Sequence, residues 1–153
     1  MSYEHRYHHR VEFSETDMAG IVHFSNYFRY MEAAEHAFLR SLGILVHRVE
    51  QGRTVSWPRV HADCGYEAPL RFEDDVEVRL LVRSKRRSAI TYEFHLFNSD
   101  SRERVARGSV TVVCVQIDPA NGKMSPIAIP ESINRLIEVA PPGLLSPLPS
   151  GEG

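Results

Sequence analysis

Residues 24–42 read FSNYFRYMEAAEHAFLRSL, and the spacing of their apolar side chains decides the fold. Phe24, Tyr27, Phe28, Met31, Ala34, Phe38 and Leu42 fall at steps of three and four, apart from the adjacent Tyr27 and Phe28. That spacing makes one stripe of an α-helix. A helix over these residues rises about 28 Å. Tyr30, Ala33 and Ala37 widen the apolar surface, so the helix needs cover on more than one side. Gly43 is suited to stop it in a left-handed conformation.

The flanking segments alternate with the period of a strand. Before the helix, Tyr7, His9, Val11 and Phe13 alternate with polar residues over 3–13, and SETDMAGIV at 14–22 reads as a loop. After it, a strand over 54–67 carries Val55, Trp57, Val60 and Tyr66 and is interrupted by Pro58, which suggests an edge or a bulge. Residues 75–83 and 89–97 alternate clearly, and 104–117 are apolar on both faces from Val110 onward, as in a central strand. Asp118, Pro119, Asn121 and Gly122 signal a turn, and 131–139 form a short closing helix after Pro130. The order is one strand, one long helix, then about four antiparallel strands, an α+β layer arrangement with the sheet wrapped around the helix. One domain spans residues 1–139, and the Pro-, Gly- and Ser-rich tail 140–153 is expected to be disordered.

Composition narrows the function. The chain has 153 residues, 42% hydrophobic and 25% charged, with a formal net charge of -2. That is an ordinary globular balance and does not suggest a nucleic-acid binder. No apolar run approaches a membrane span, and MSYEHRYHHR at the start lacks the apolar core of a signal peptide. A cytoplasmic protein is expected, with Cys64 and Cys114 as reduced, buried thiols. The eight histidines show no metal-ligand spacing, so no metal and no cofactor are expected.

The informative segment for chemistry is Asp17–Glu32, DMAGIVHFSNYFRYME. An acid sits in a loop just before a long helix, whose first N–H groups carry partial positive charge. Those donors can stabilise an oxygen that becomes negative during acyl transfer. A carboxylate beside them can attack a thioester carbonyl or activate a water. Gly20 allows close backbone approach. The same pattern also describes an ordinary cap or turn residue.

This segment resembles the hotdog-fold thioesterases of the 4-hydroxybenzoyl-CoA thioesterase family, through Asp17, Ala19-Gly20-Ile21-Val22, Asn26-Tyr27 and Arg29-Tyr30. The resemblance runs over roughly residues 5–138. It implies a hotdog fold: an antiparallel sheet wrapped around one long central helix. It implies hydrolysis of an acyl- or aroyl-CoA thioester with Asp17 as catalytic carboxylate and the backbone N–H groups near His23 and Phe24 as oxyanion donors. Gly20, Asn26 and Tyr27 would border the substrate. Lys85, Arg86, Arg87 and Ser88 match a basic run that in this family meets the phosphates of coenzyme A, and three adjacent cations at a strand end suit phosphate in their own right. Read alone, the run is equally a solvated strand end. The family also implies a homodimer or homotetramer with sites between subunits.

One departure limits the transfer. A large branch of the family begins the helix with Tyr-His, where this chain has His23-Phe24, so a histidine-assisted mechanism does not carry over. Another hotdog branch uses a helix glutamate, but with Asp17 in the loop, Glu32 and Glu35 are expected to be structural. Two other functions fit the same residues: an acyl-carrier-protein thioesterase, and a non-catalytic acyl-CoA-binding protein.

Overall fold

The structure, a computed structural model, describes residues 2–50 and 52–147. Its main sheet has five antiparallel strands: β1 (Glu4–Arg10), β4 (Arg59–Tyr66), β5 (Asp75–Lys85), β6 (Ala89–Asn98) and β7 (Arg104–Val113). Their order in space is β1-β5-β6-β7-β4. A smaller sheet joins β2 (Arg48–Glu50), β3 (Arg53–Ser56), β8 (Val115–Ile117) and β9 (Met124–Pro126). The long helix α1 (Asn26–Ser41) packs on one face of the main sheet, and α2 (Glu131–Asn134) is a short turn near the end.

The core follows the predicted stripe from Tyr27 to Phe38, whereas Phe24 lies ahead of α1 and is exposed, which corrects its place in the stripe. Tyr27, Tyr30, Met31, Ala34, Phe38 and Leu39 of α1 are buried against Val78, Leu80, Val82, Tyr92, Phe94 and Leu96 of the sheet. Register puts these sheet residues side by side, Leu80 opposite Phe94 and Val82 opposite Tyr92. The helix lies close to β7: a Cβ on Gly108 would come within 2.3 Å of the Asp63 carbonyl oxygen and 2.6 Å of Met31 Cε. Gly43 ends α1 at φ +75°, with its N–H donating to Arg40 and the Ile44 N–H to Leu39. That is a Schellman closure.

Two expected single strands each divide. The segment 54–67 breaks at Pro58, which has no N–H to continue a ladder; β3 joins the small sheet and β4 the edge of the main one. The segment 104–117 breaks at Cys114, where the N–H turns to the Ser88 carbonyl at 2.7 Å and the chain crosses between sheets. The closing helix is shorter than 131–139, covering Glu131–Asn134.

The expected disordered tail falls partly on residues 148–153, which lie outside the described residues. Its first part is laid along the sheet. Ala140 is buried and its N–H donates to Val82, while the Ser146 N–H reaches the Glu93 carboxylate at 3.1 Å. Glu93 is a buried anion on the face away from α1, bonded also by Arg83 and His95. Burial favours its neutral form, but the His95 ring and the Ser146 N–H outweigh that and hold it below the ordinary carboxylate range.

Glu32 and Glu35 both lie on α1 as expected, Glu32 exposed and Glu35 enclosed. Glu35 is buried and bonds Arg59 of β4 at 2.6 Å, and its Oε2 has no hydrogen-bond partner among the described residues. Burial pushes its carboxyl up to about 7; Arg59 opposes this and Glu32 adds to it.

Candidate active site

The loop between β1 and α1 folds back on itself as a small hairpin. Thr16 bridges Val22, the Asp17 N–H donates to the Ile21 carbonyl at 2.8 Å, and the Gly20 N–H returns to the Asp17 carbonyl at 3.0 Å. Gly20 has φ +78°. A left-handed residue at the hairpin tip explains this glycine, and it stands in open space. The hairpin docks on the segment after β4 through an Ile21–Arg71 bridge and the Val22 N–H to Leu70.

Glu15 holds the loop to the helix. Its carbonyl accepts the His23 N–H at 2.9 Å and the Asn26 Nδ2 at 2.8 Å. Its carboxylate accepts the Glu12 N–H at 2.8 Å and the Tyr30 hydroxyl at 3.0 Å, and bonds His9 Nε2 at 2.9 Å. Burial alone would raise the Glu15 carboxyl. The Glu12 N–H, His9 and Tyr30 together outweigh burial and keep it below its ordinary value.

A cleft of about 390 Å³ opens beside this junction, lined by Asp17, Phe24, Tyr27, Tyr66, Glu67 and neighbouring apolar residues. Asp17 is exposed, and one carboxylate oxygen accepts the Ala19 N–H at 2.8 Å. Glu67 is the other acid in the cleft, but Arg104 clamps it through contacts of 2.7 and 2.8 Å and holds it ionised. Among the described residues no cation pairs with Asp17, and its one side-chain hydrogen bond is that from the Ala19 N–H.

The donors at the helix start sort themselves. The Val22 N–H goes to Leu70, His23 to Glu15 and Asn26 to the His23 carbonyl. The Ser25 N–H reaches His23 Nδ1 at 3.3 Å. Among the described residues the Phe24 N–H alone in this run has no acceptor. Of the pair expected from the sequence, His23 thus bonds its N–H to Glu15, and Phe24 does not bond its own among the described residues. The His23 ring bonds Ser25 Oγ at 2.8 Å and stacks on Phe24.

The remaining expected residues separate. Tyr27 is buried and lines the cleft floor, its ring set edge-on to Tyr66 at 5.0 Å. Asn26 directs its side chain to Glu15, which makes it a brace for the loop rather than a cleft residue. Lys85 departs from its basic neighbours: its ammonium donates to the Asn134 and Ile137 carbonyls at 3.0 and 2.7 Å. Two of its three donors thus satisfy carbonyls around α2. Arg86 and Arg87 are exposed at the β5–β6 turn, and Ser88 is half-buried with its carbonyl on Cys114. That turn closes the far end of β5 from Asp75, beside the segment on which the Asp17 hairpin docks. The strand between spans roughly 30 Å. Within one chain, therefore, the arginines and Asp17 stand at opposite ends of the sheet.

The sequence reading missed Glu15 and Tyr66. Glu15 lies in the quoted loop, two residues before Asp17, but nothing in its spacing signals that it turns inward. Tyr66 reads as an ordinary strand aromatic, and its closeness to Phe24 exists only after β4 has paired with β7.

Comparison with known proteins agrees with this geometry. Residues 11–137 match the family model described as the thioesterase-like superfamily. A 1,4-dihydroxy-2-naphthoyl-CoA hydrolase of Synechococcus sp. (strain CC9311) is 30% identical over 149 residues, covering 90% of this chain and 91% of the relative. The solved gentisyl-coenzyme A thioesterase BH1999 is 30% identical with a TM-score of 0.71, covering 85% of this chain and 99% of its own. A mutant 4-hydroxybenzoyl-CoA thioesterase solved with 4-hydroxybenzoyl-CoA shares the fold at a TM-score of 0.78 and 20% identity, over 90% of this chain and all (100%) of its own. The chain belongs to the thioesterase-like superfamily and is a hotdog-fold thioester hydrolase.

Proposed function

We propose that this chain hydrolyses an acyl- or aroyl-CoA thioester to the free carboxylic acid and coenzyme A, with Asp17 as the catalytic carboxylate. The observation that carries this reading is that the exposed Asp17 carboxylate and the Phe24 N–H, which has no acceptor among the described residues, border one cleft. The thioester carbonyl oxygen accepts the Phe24 N–H, which stabilises the negative charge that builds on that oxygen. Asp17 either attacks the carbonyl carbon, expelling the thiolate and forming a mixed anhydride that water then cleaves, or takes a proton from an attacking water. In both routes one water is consumed, the C–S bond breaks and the thiolate leaves as coenzyme A.

The relatives named for aroyl-CoA substrates support an aromatic acyl group, as does the aromatic lining of Phe24, Tyr27 and Tyr66. We also infer a homodimer or higher homo-oligomer. β4 is an edge strand whose residues are nearly all exposed, including Val60 and Tyr66, and an open edge is a template for pairing with a second copy. Such an assembly gives Arg86 and Arg87 of one subunit a route to the coenzyme A phosphates bound at the other's cleft. A cytoplasmic location fits two cysteines held as thiols, Cys64 and Cys114.

The test is release of free thiol from a panel of short, long and aromatic acyl-CoAs, beside the same acyl groups on an acyl carrier protein. Faster turnover of an aroyl-CoA than of any carrier-bound acyl group is the expected result. Binding of coenzyme A thioesters with no turnover of any of them would make the chain a binding protein.

A further inference from the structure

The Phe24 side chain does little to hold the segment that offers its N–H. Phe24 is 63% exposed, and the His23 ring stacked upon it is exposed as well. Its main chain is fixed on one side by the His23 N–H to Glu15. On the other side the Phe24 carbonyl accepts the Tyr66 hydroxyl at 2.8 Å. Tyr66 is the last residue of β4, opposite Ala106 in the register with β7, and its ring rests edge-on against buried Tyr27. Burial first, then the neighbouring Cys64, pushes the Tyr66 hydroxyl up to about 12, so it remains a proton donor throughout the neutral range.

We propose that Tyr66 is a positioning residue: it ties the Phe24 backbone to the sheet and thereby aims the Phe24 N–H at the thioester carbonyl. The inference rests on the reading of Asp17 and Phe24 given above and adds the element that sets the donor's direction. Preorganisation is what makes such a donor effective, because it need not reorganise as charge develops. Without the hydroxyl, the Phe24–Ser25 peptide unit keeps only the weaker Ser25 N–H contact to His23 Nδ1, and the adjoining Phe24 N–H loses part of its alignment with the oxyanion.

Tyr66→Phe isolates this role, since it keeps the ring and its contact with Tyr27. In the full chain, amide hydrogen exchange and ¹⁵N relaxation should show greater mobility at Phe24 and Ser25, with the rest of α1 unchanged. With an aroyl-CoA, kcat should fall about 10- to 100-fold, part of the loss typical for a missing oxyanion donor. KM and melting temperature should stay near wild type, a split that a merely structural residue would not give. Unchanged mobility at Phe24, or an unchanged kcat, overturns the proposal. A wild-type protein with no thioesterase activity would refute the reading of Asp17, while the amide measurement would still decide whether Tyr66 fixes Phe24.

Discussion

The Glu15 carbonyl accepts the His23 N–H at 2.9 Å, and this bond closes the loop that carries Asp17 onto the start of α1. It also removes His23 from the set of available donors, which leaves Phe24. The same residue's carboxylate gathers Glu12, His9 and Tyr30. Glu15 is thus the structural centre of the site, although it does not line the cleft.

Glu15→Ala should therefore weaken the fold and the site together. It strips acceptors from the buried Tyr30 hydroxyl and the Glu12 N–H, at a cost of about 2–3 kcal/mol. Because the folded carboxyl sits below its unfolded value of 4.5, its contribution is present above that pH and is lost as pH falls through the folded value. Urea denaturation at neutral and acid pH checks both statements. The gap between wild type and variant should be wide at pH 7 and should narrow only as pH falls below 4.5.

Glu35 gives the opposite sign. Its carboxyl is raised to about 7 in the fold, against 4.5 when unfolded. Between those values the folded state holds the extra proton, so this contribution is full below 4.5 and fades as pH rises through 7. Over that window wild type should lose on the order of 3 kcal/mol of this contribution, and Glu35→Gln should show a shallower decline. Melting temperatures at several pH values between about 4.5 and 8 measure the slope. Equal slopes in the two proteins would show that Glu35 ionises normally.

The three cations at the end of β5 and the turn after it should behave as two classes. Lys85→Met leaves the Asn134 and Ile137 carbonyls without their donor, so it should lower the melting temperature and leave KM for an acyl-CoA unchanged. Arg86→Ala and Arg87→Ala should keep stability, since both side chains are exposed. Each should raise KM several-fold, more at low salt than at high salt. Steady-state kinetics at two ionic strengths separates the classes. A KM effect from Lys85→Met alone would reverse the assignment.

Much of this architecture was legible in the chain. The 3.6-residue stripe from Phe24 to Leu42 dictated one enclosed helix, and the alternation over 75–83 and 89–97 dictated two strands of the sheet that covers it. Asp17 and the Lys85–Arg87 run were legible as types of residue in types of place. Their partners were not. That Lys85 turns to α2 while Arg86 and Arg87 turn to solvent depends on contacts more than forty residues away in sequence. The link from Tyr66 to Phe24 likewise spans 42 positions and follows from strand order, which local periodicity does not encode. The division of 104–117 at Cys114 escaped for a related reason: residues apolar on both faces fit one central strand as well as two strands in different sheets.

The most direct test of the account is kcat of Asp17→Asn with an aroyl-CoA, in protein whose circular dichroism and melting temperature match wild type. Asp17 is exposed, so the substitution should leave the fold intact. With Asp17 as the catalytic carboxylate, kcat should fall roughly a thousandfold or more, with coenzyme A thioester binding retained. Turnover at the wild-type rate would contradict that role.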